Sequence, residues 1–385
     1  MLSVKDFGAK GDGITDDTYA IQQALNQRKS VYLPAGDYRI SDTLVVPTGT
    51  RMYGDGVYAT KIVQWRDGVP IIRVSGSHYS IERLYLLFLN QQNESTSGGV
   101  GIELGDAQTS AGAFEGMVQY VNIEKSFRGV AIPTWAGQPF AFQNTFRHIR
   151  VLDHWDYGFH LGGRLNIGLT TNTFINCYVL AQSDQPNPNS KGFYLAMHDD
   201  FALINCAVDH VAQEALKIEQ CKGGSVIDFH AEECRVRQNY KQVVHVHNSN
   251  VWFSNLQVIY TIIENISTEA YLVFVSGESH VHIQNYVDRD EKILNSNQVF
   301  SIVKDKESVL TVEKKKSNLP PYFQGKYLSE HKLYESSNIP TEGNWKKGEI
   351  VLNTNPASGG YVGWVCTQAG TAGSAKFHPF GKLES

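Results

Sequence analysis

Val4-Lys5-Asp6-Phe7-Gly8-Ala9-Lys10-Gly11-Asp12-Gly13, then Asp16-Asp17-Thr18, a helical run to Leu25, and Val31-Tyr32-Leu33-Pro34-Ala35-Gly36-Asp37-Tyr38 form the stretch that decides the fold. A glycine-rich turn leads into a short helix, and a strand follows that ends at Pro-Ala-Gly. Thr15 or Asp16 is placed to cap the helix, and Asp16 and Asp17 suit its positive N-terminus. Ala20, Ile21, Ala24 and Leu25 fall at i, i+1, i+4 and i+5, a single apolar stripe. So short a helix is unstable alone and needs a surface to cover. The competing reading makes Gly8, Gly11 and Gly13 a phosphate loop. No clear strand precedes them, and no Gly-Lys-Ser/Thr follows.

From Val31 to about Leu310 the chain is a succession of short apolar strands with polar turns. Seven phrases recur: Ser80 to Leu86, Val118 to Ile123, Thr145 to Val151, Thr173 to Val179, Ala202 to Val208, Val226 to Ala231 and Val251 to Leu256. Each reads as apolar and polar residues in alternation. Equivalent phrases lie about 23 to 37 residues apart, which is a solenoid period. About ten coils account for the segment. A β-sandwich array would call for hairpin turns of the Asn-Gly or Asp-Gly type, and few are present.

Residues 4 to 56 resemble the opening of the pectate-lyase-like proteins, which are right-handed parallel β-helices and include many phage tailspikes. The resemblance implies an all-β chain: a right-handed parallel β-helix with a short N-terminal capping helix. It implies less about reaction, because the family hosts lyases, hydrolases and pure binders. In such a fold the helix would cover the unpaired edge of the first coil. The expected organisation is a cap over residues 1–30, a β-helix over 31–312, a linker over 313–340 and a small β module over 341–385. The linker is marked by a charge run at Glu313-Lys314-Lys315-Lys316 and by Pro320-Pro321. The terminal segment, with Trp345, Ile350-Val351-Leu352 and Gly359 to Thr367, resembles modules that end phage tail proteins. The resemblance suggests a trimer-closing or accessory binding tip, against a strand pair that merely caps the solenoid.

A net charge of −5 over 385 residues argues against nucleic acid, which calls for a basic stripe. Nineteen per cent charged residues is low and suits a chain made of strands. Nineteen Tyr and six Trp suit a carbohydrate-facing surface. No signal peptide is expected behind Met1, and no segment approaches the about 20 apolar residues of a membrane span. The resemblance therefore implies a virion tail protein acting outside the host cell, without membrane insertion. Its partner would be a bacterial cell-surface polysaccharide or teichoic acid, and its assembly a homotrimer. Five cysteines have no zinc spacing. Cys177 and Cys206 share the phrase Ile-Asn-Cys 29 residues apart, so coils would stack them as buried, reduced filler.

The chemistry is expected on the outer face. Aligning the coil phrases puts Asp209 over Glu232 on adjacent coils. At the ~4.8 Å strand spacing their carboxylates would sit about 5–6 Å apart. Two carboxylates so close do not ionise independently, which gives one protonated acid beside one charged base or nucleophile. The equivalent residue one coil earlier is Leu180, so the acids replace an apolar residue. Glu233 would replace Glu232 if the register slipped by one. Glu214 reads as a turn charge. Asp153-His154-Trp155-Asp156-Tyr157-Gly158-Phe159-His160, with Arg164 beyond, suggests a sugar-binding wall. Trp155 or Tyr157 would stack on a ring, with His160, Arg164 and His210 as further contacts, and Asp156 is an alternative second carboxylate. His198-Asp199-Asp200 resembles the adjacent aspartates of polygalacturonases, but none of that family's other phrases accompanies it. His245 and His247 share a strand face but lack a third ligand, so neither metal nor cofactor is expected. Arg235 and Arg237 keep a lyase base available. Four long insertions, Asp106 to Gly116, Pro133 to Phe140, Gly162 to Thr171 and Gln182 to Gly192, are expected to wall one groove.

Overall fold

The computed structural model describes residues 2–133, 140–162, 169–181, 187–237, 241–264, 269–289, 291–294, 298–316, 322–323, 333–341, 343–371 and 373–384. The chain divides into two compact units, one of Met1–Val303 with Ser308–Pro321, the other of Lys304–Glu307 with Tyr322–Ser385. The first unit is a parallel β-solenoid of about ten turns. Ile81, Val118, Phe146, Phe174, Leu203, Val226, Phe253 and Ile283 pair in sequence, one per coil, and all are fully buried. A second parallel ladder begins at Leu44–Pro47 and runs through Ile72–Ser77, Val100–Leu104, Arg128–Ala131, Tyr157–Gly162, Lys191–Ala196, Leu216–Glu219, Gln242–His247 and Glu269–Ser276. Its Phe159 and Phe193 rings stack 4.6 Å apart at 1° inside the core. A third, short ladder joins Arg235–Val236, Ile262–Glu264 and Lys292–Leu294.

The coil phrases differ from unbroken alternation in one respect. Six of the seven bend at a residue in the left-handed region, Arg83, Tyr120, His148, Asn176, Asn205 and Asp228, with φ between 50° and 56°; the phrase from Val251 to Leu256 has no such residue. The bend shifts the alternation by one residue. Phe174 points inward, Asn176 turns the corner, and Cys177 and Val179 point inward after it. Asn and Asp tolerate this conformation best, and they ladder across coils, as where Asn205 Nδ2 donates to Asn176 Oδ1 at 2.7 Å. All four solenoid cysteines, Cys177, Cys206, Cys221 and Cys234, directly follow such a corner residue and are buried free thiols. Cys177 Sγ donates to the Phe146 carbonyl at 3.4 Å.

The helix spans Thr18–Leu25 and buries Ile21, Ala24 and Leu25. Asp16, not Thr15, serves its first turn, accepting from the Thr18 backbone N–H at 3.0 Å. Asp17 turns away to accept from the backbone N–H groups of Lys10 and Gly11 at 2.6 and 2.8 Å. The helix packs on the edge strand Leu44–Pro47. There the Gln22 side-chain amide makes both ladder bonds of Val45, donating to its carbonyl at 3.0 Å and accepting from its N–H at 2.8 Å. Gly36, at φ 155°, passes so close to Gly11 that a Cβ would lie 2.6 Å from the Gly11 carbonyl oxygen.

Three of the four insertions interrupt successive coils at one place, after Val100–Leu104, Arg128–Ala131 and Tyr157–Gly162. The fourth falls between Tyr178–Leu180 and Lys191–Ala196, and most of the last three insertions lies outside the described residues. In the second unit, strands Leu333–Ser336, Ile350–Asn353, Tyr361–Gln368 and Lys376–Lys382 form one sheet. Trp345, Val351 and Cys366 make its small core. Strand Val309–Lys316 of the first unit runs through the charge run at Glu313. Among the described residues no helix is long and apolar enough to cross a membrane.

Candidate active site

Asp209 ends strand Ala207–Asp209 and Glu232 ends strand Phe229–Glu232 one coil later. The two residues are register partners. Leu180 precedes them in the same outward column and Ile259 follows, so two acids stand between two aliphatic side chains. Two residues back along each strand is a second outward column: Tyr178, Ala207 and His230. Tyr178 reaches past the small Ala207, and its hydroxyl donates to Asp209 Oδ2 at 2.5 Å. His230 Nε2 lies 2.9 Å from Glu232 Oε2. Asp209, His230 and Glu232 each offer one ligand atom within 4.8 Å of the other two, which is the arrangement here that would suit a metal ion.

Asp209 is half-buried, and its buried Oδ1 has no hydrogen-bond partner. Burial pushes its carboxyl above the usual range, and Glu232 adds to this. The hydrogen bond from Tyr178 and the nearby His230 and His210 only partly offset it. The geometry thus puts a carboxyl raised above its usual range beside a second carboxyl group. Tyr178 and His230 were not singled out in the sequence, although both stand two residues from the acid column, on the same outward face.

Glu233 and His210 are corner residues, at φ 49° and 60°, and are paired at 2.6 Å. They lie beside the acid pair, around the corner of the coil. Glu214 is no turn charge: it is buried and accepts from the Tyr157 hydroxyl at 3.1 Å and Gln242 Nε2 at 3.0 Å.

The second cluster divides. Asp156 is buried between Arg128, at 2.7 Å, and Lys191, at 2.8 Å. Burial alone would raise its carboxyl, but the two cations more than offset this and hold it below the usual range. Asp156 is therefore a clamped ion and not the partner of Asp209. Tyr157 is buried and stacks on Tyr194 at 5.4 Å. His160 is buried too, and burial drops its imidazole to about 3. Neither presents a free face as a sugar-binding wall. Arg164 lies outside the described residues. Trp155 does line a cavity of about 290 Å³, with Lys125, Asp153, Ala181, Asn187 and Pro188. The Ala181 N–H donates to the Asp209 carbonyl at 3.2 Å, so this cavity adjoins the acid pair at the same corner.

The remaining candidates are engaged elsewhere. Arg235 and Arg237 both pair with Glu264, at 2.9 and 3.3 Å. His245 and His247 each lie 2.9 Å from Ser276 Oγ. His198 is fully buried, Asp199 pairs with Lys222, and Asp200 accepts from the Phe201 N–H.

Residues 1–94 match the family model described as rhamnogalacturonase A/epimerase, pectate lyase-like. The glucan 1,3-beta-glucosidase of Cochliobolus carbonum is 33 % identical over 114 residues, 27 % of this chain and 14 % of that protein. The pre-neck appendage protein of Bacillus phage B103 is 37 % identical over 70 residues, 18 % of this chain and 8 % of that protein. The chain thus spans only a small part of the length of the curated relatives it matches. The gp42 tailspike of Acinetobacter phage vb_AbaP_AS12 superposes with a TM-score of 0.57 at 14 % identity, covering 98 % of this chain and 78 % of that one. That likeness is one of fold. The opening segment is pectate-lyase-like, and the chain that follows it folds as a parallel β-helix like that of a phage tailspike.

Proposed function

We propose that the protein is a tailspike-like depolymerase that hydrolyses a bacterial surface polysaccharide with Asp209 and Glu232 as its carboxylate pair. One observation carries the reading: two register-paired acids interrupt an aliphatic column, and the carboxyl of the first is raised above its usual range. Asp209 gives its proton to the glycosidic oxygen as the bond to the leaving sugar breaks. Glu232 attacks the anomeric carbon and forms a glycosyl ester. Asp209, now ionised, takes a proton from water, whose oxygen displaces Glu232. Atoms within 4.8 Å are nearer the ~5–5.5 Å of retaining enzymes than the ~6.5–9.5 Å of inverting ones. Tyr178 and His230 orient the two acids. The polymer is a capsule, an exopolysaccharide or a teichoic acid, the location is the virion tail, and the assembly is a homotrimer. A closed three-fold ring buries one flat solenoid face per copy.

Arg150 favours a second reading. Its guanidinium lies over the Tyr178 ring at 5.4 Å, an exposed cation beside the acid pair. Such a cation suits the carboxylate of a uronic acid, the substrate class of a lyase. Incubation with capsule, exopolysaccharide and wall teichoic acid, with released fragments read by mass spectrometry, separates the readings. Saturated oligosaccharides support hydrolysis, ultraviolet-absorbing unsaturated ends a lyase, and phosphoglycerol or phosphoribitol pieces a phosphodiesterase. Asp209→Asn and Glu232→Gln are each expected to lower the rate by about 10²–10⁴. Full activity in either variant removes that residue from the chemistry.

A further inference from the structure

A second feature of the outer face lies away from the acid pair. Along one outward column Ser225, Trp252, His282 and Thr311 are register partners on successive coils. Two flat rings therefore stand between two small side chains. The Trp252 and His282 rings stack with centroids 3.9 Å apart and 10° between planes. Glu313 Oε1 lies 2.8 Å from His282 Nε2. Phe253 and Val251, the neighbours of Trp252, are buried in the core, yet the indole itself is 47 % exposed. The rings line an open cavity of about 380 Å³, which Asn250, His280 and Thr311 border with hydrogen-bonding groups and Gly224 leaves clear.

We propose that this shelf is a second, non-catalytic saccharide-binding site, which holds one pyranose ring of the polymer against Trp252. A sugar ring has an apolar C–H face and a rim of hydroxyls. A flat aromatic surface with polar groups at its edge complements both. A purely apolar partner would make no use of the polar groups of His280 and Thr311 at the cavity edge. An anion would meet Glu313 beside the ring. Trp252 and Ile259, the register partner of Glu232, lie on one strand, seven residues apart. At ~3.3 Å per residue the shelf is roughly 20 Å of strand from the acid pair. It therefore binds a different sugar from the one being cut. The inference rests on the polysaccharide reading for its ligand, but not on catalysis.

The test is affinity electrophoresis of the full chain in native gels cast with alginate, laminarin or purified wall teichoic acid. The expected result is retardation by at least one polymer, kept by Asp209→Asn and weakened about tenfold by Trp252→Ala. Trp252→Phe, which keeps a ring and the packing, is expected to retain most of the retardation. Trp65→Ala, at another half-exposed indole, is expected to leave it unchanged. Retardation that survives Trp252→Ala, or its absence for the unmodified chain in all three gels, overturns the site. A fall in molar mass by light scattering in Trp252→Ala also overturns it, because the shelf would then be a contact between copies. Loss of cleavage in Asp209→Asn tests the acid pair separately, so the two readings fail independently.

Discussion

Asp209 and Glu232 are direct register partners on adjacent coils, and a hydroxyl from one coil earlier, that of Tyr178, tethers the first of them. Like charges placed directly opposite each other destabilise a sheet. The solenoid accepts this where an aliphatic pair, like Leu152 over Leu180, would have continued the column.

The pH dependence of stability follows from Asp209. Burial raises its carboxyl in the folded state, so the folded protein binds this proton more tightly than the unfolded chain does. Such a group favours folding at low pH and opposes it as pH rises through the folded-state value. Asp209→Asn keeps an acceptor for Tyr178 and removes the charge. The variant is expected to melt above the parent at neutral pH, with the gain vanishing near and below ~3.9, the unperturbed aspartate value. Thermal scans at several pH values read this. A parent that melts higher at neutral pH contradicts it.

Asp156 has the opposite sign. Arg128 and Lys191 hold its carboxyl low, so its contribution is complete above ~3.9 and is lost as pH falls through the folded-state value. Asp156→Asn leaves two half-buried cations without their anion and is expected to cost up to about 3–5 kcal/mol in urea unfolding. Cleavage per folded molecule should stay near that of the parent. A stable but inactive Asp156→Asn would return Asp156 to the chemistry.

The sequence carried the acid pair because a parallel, in-register solenoid turns a spacing of one coil into contact. Ile204 to Asp209 and Ile227 to Glu232 are the same phrase read twice, and the ladder places them side by side. The corners were harder to see. A positive φ has a side-chain signal at Asn176, Asn205 and Asp228, but Arg83, Tyr120 and His148 adopt it without one. Asp156 was misread for a related reason. Its partners Arg128 and Lys191 lie one coil away on either side, and nothing local to the Asp153 to His160 phrase announces them. Exposure of Tyr157 and His160 was likewise set by neighbouring coils.

The cysteines make a separate test of the core. The chain has five, and all are buried free thiols. Burial, with Cys206 adjacent, pushes the Cys177 thiol well up, and burial takes Cys221 to about 11. All five thiols are buried away from reagents. A chromogenic thiol reagent is expected to titrate none in the native protein and five in denaturant. A fast-reacting native thiol at Cys177, Cys206, Cys221 or Cys234 would contradict the corner placement.

The opening helix acts through a single side chain. Leu44–Pro47 pairs with Ile72–Ser77 on one side, and on the other the Gln22 amide takes both bonds that a further strand would have made at Val45. Unpaired strand edges template association between chains. Gln22→Ala frees the N–H and the carbonyl of half-buried Val45 together, and a buried group left unpaired costs ~1–3 kcal/mol, the upper bound here. Its urea midpoint is expected to fall by an amount in that range, and its turbidity on warming to begin earlier than in the parent. Gln23→Ala, one residue along the same helix and away from Val45, is the control and is expected to change neither. Equal midpoints for the two variants would mean that the helix covers the edge through Ile21, Ala24 and Leu25 alone.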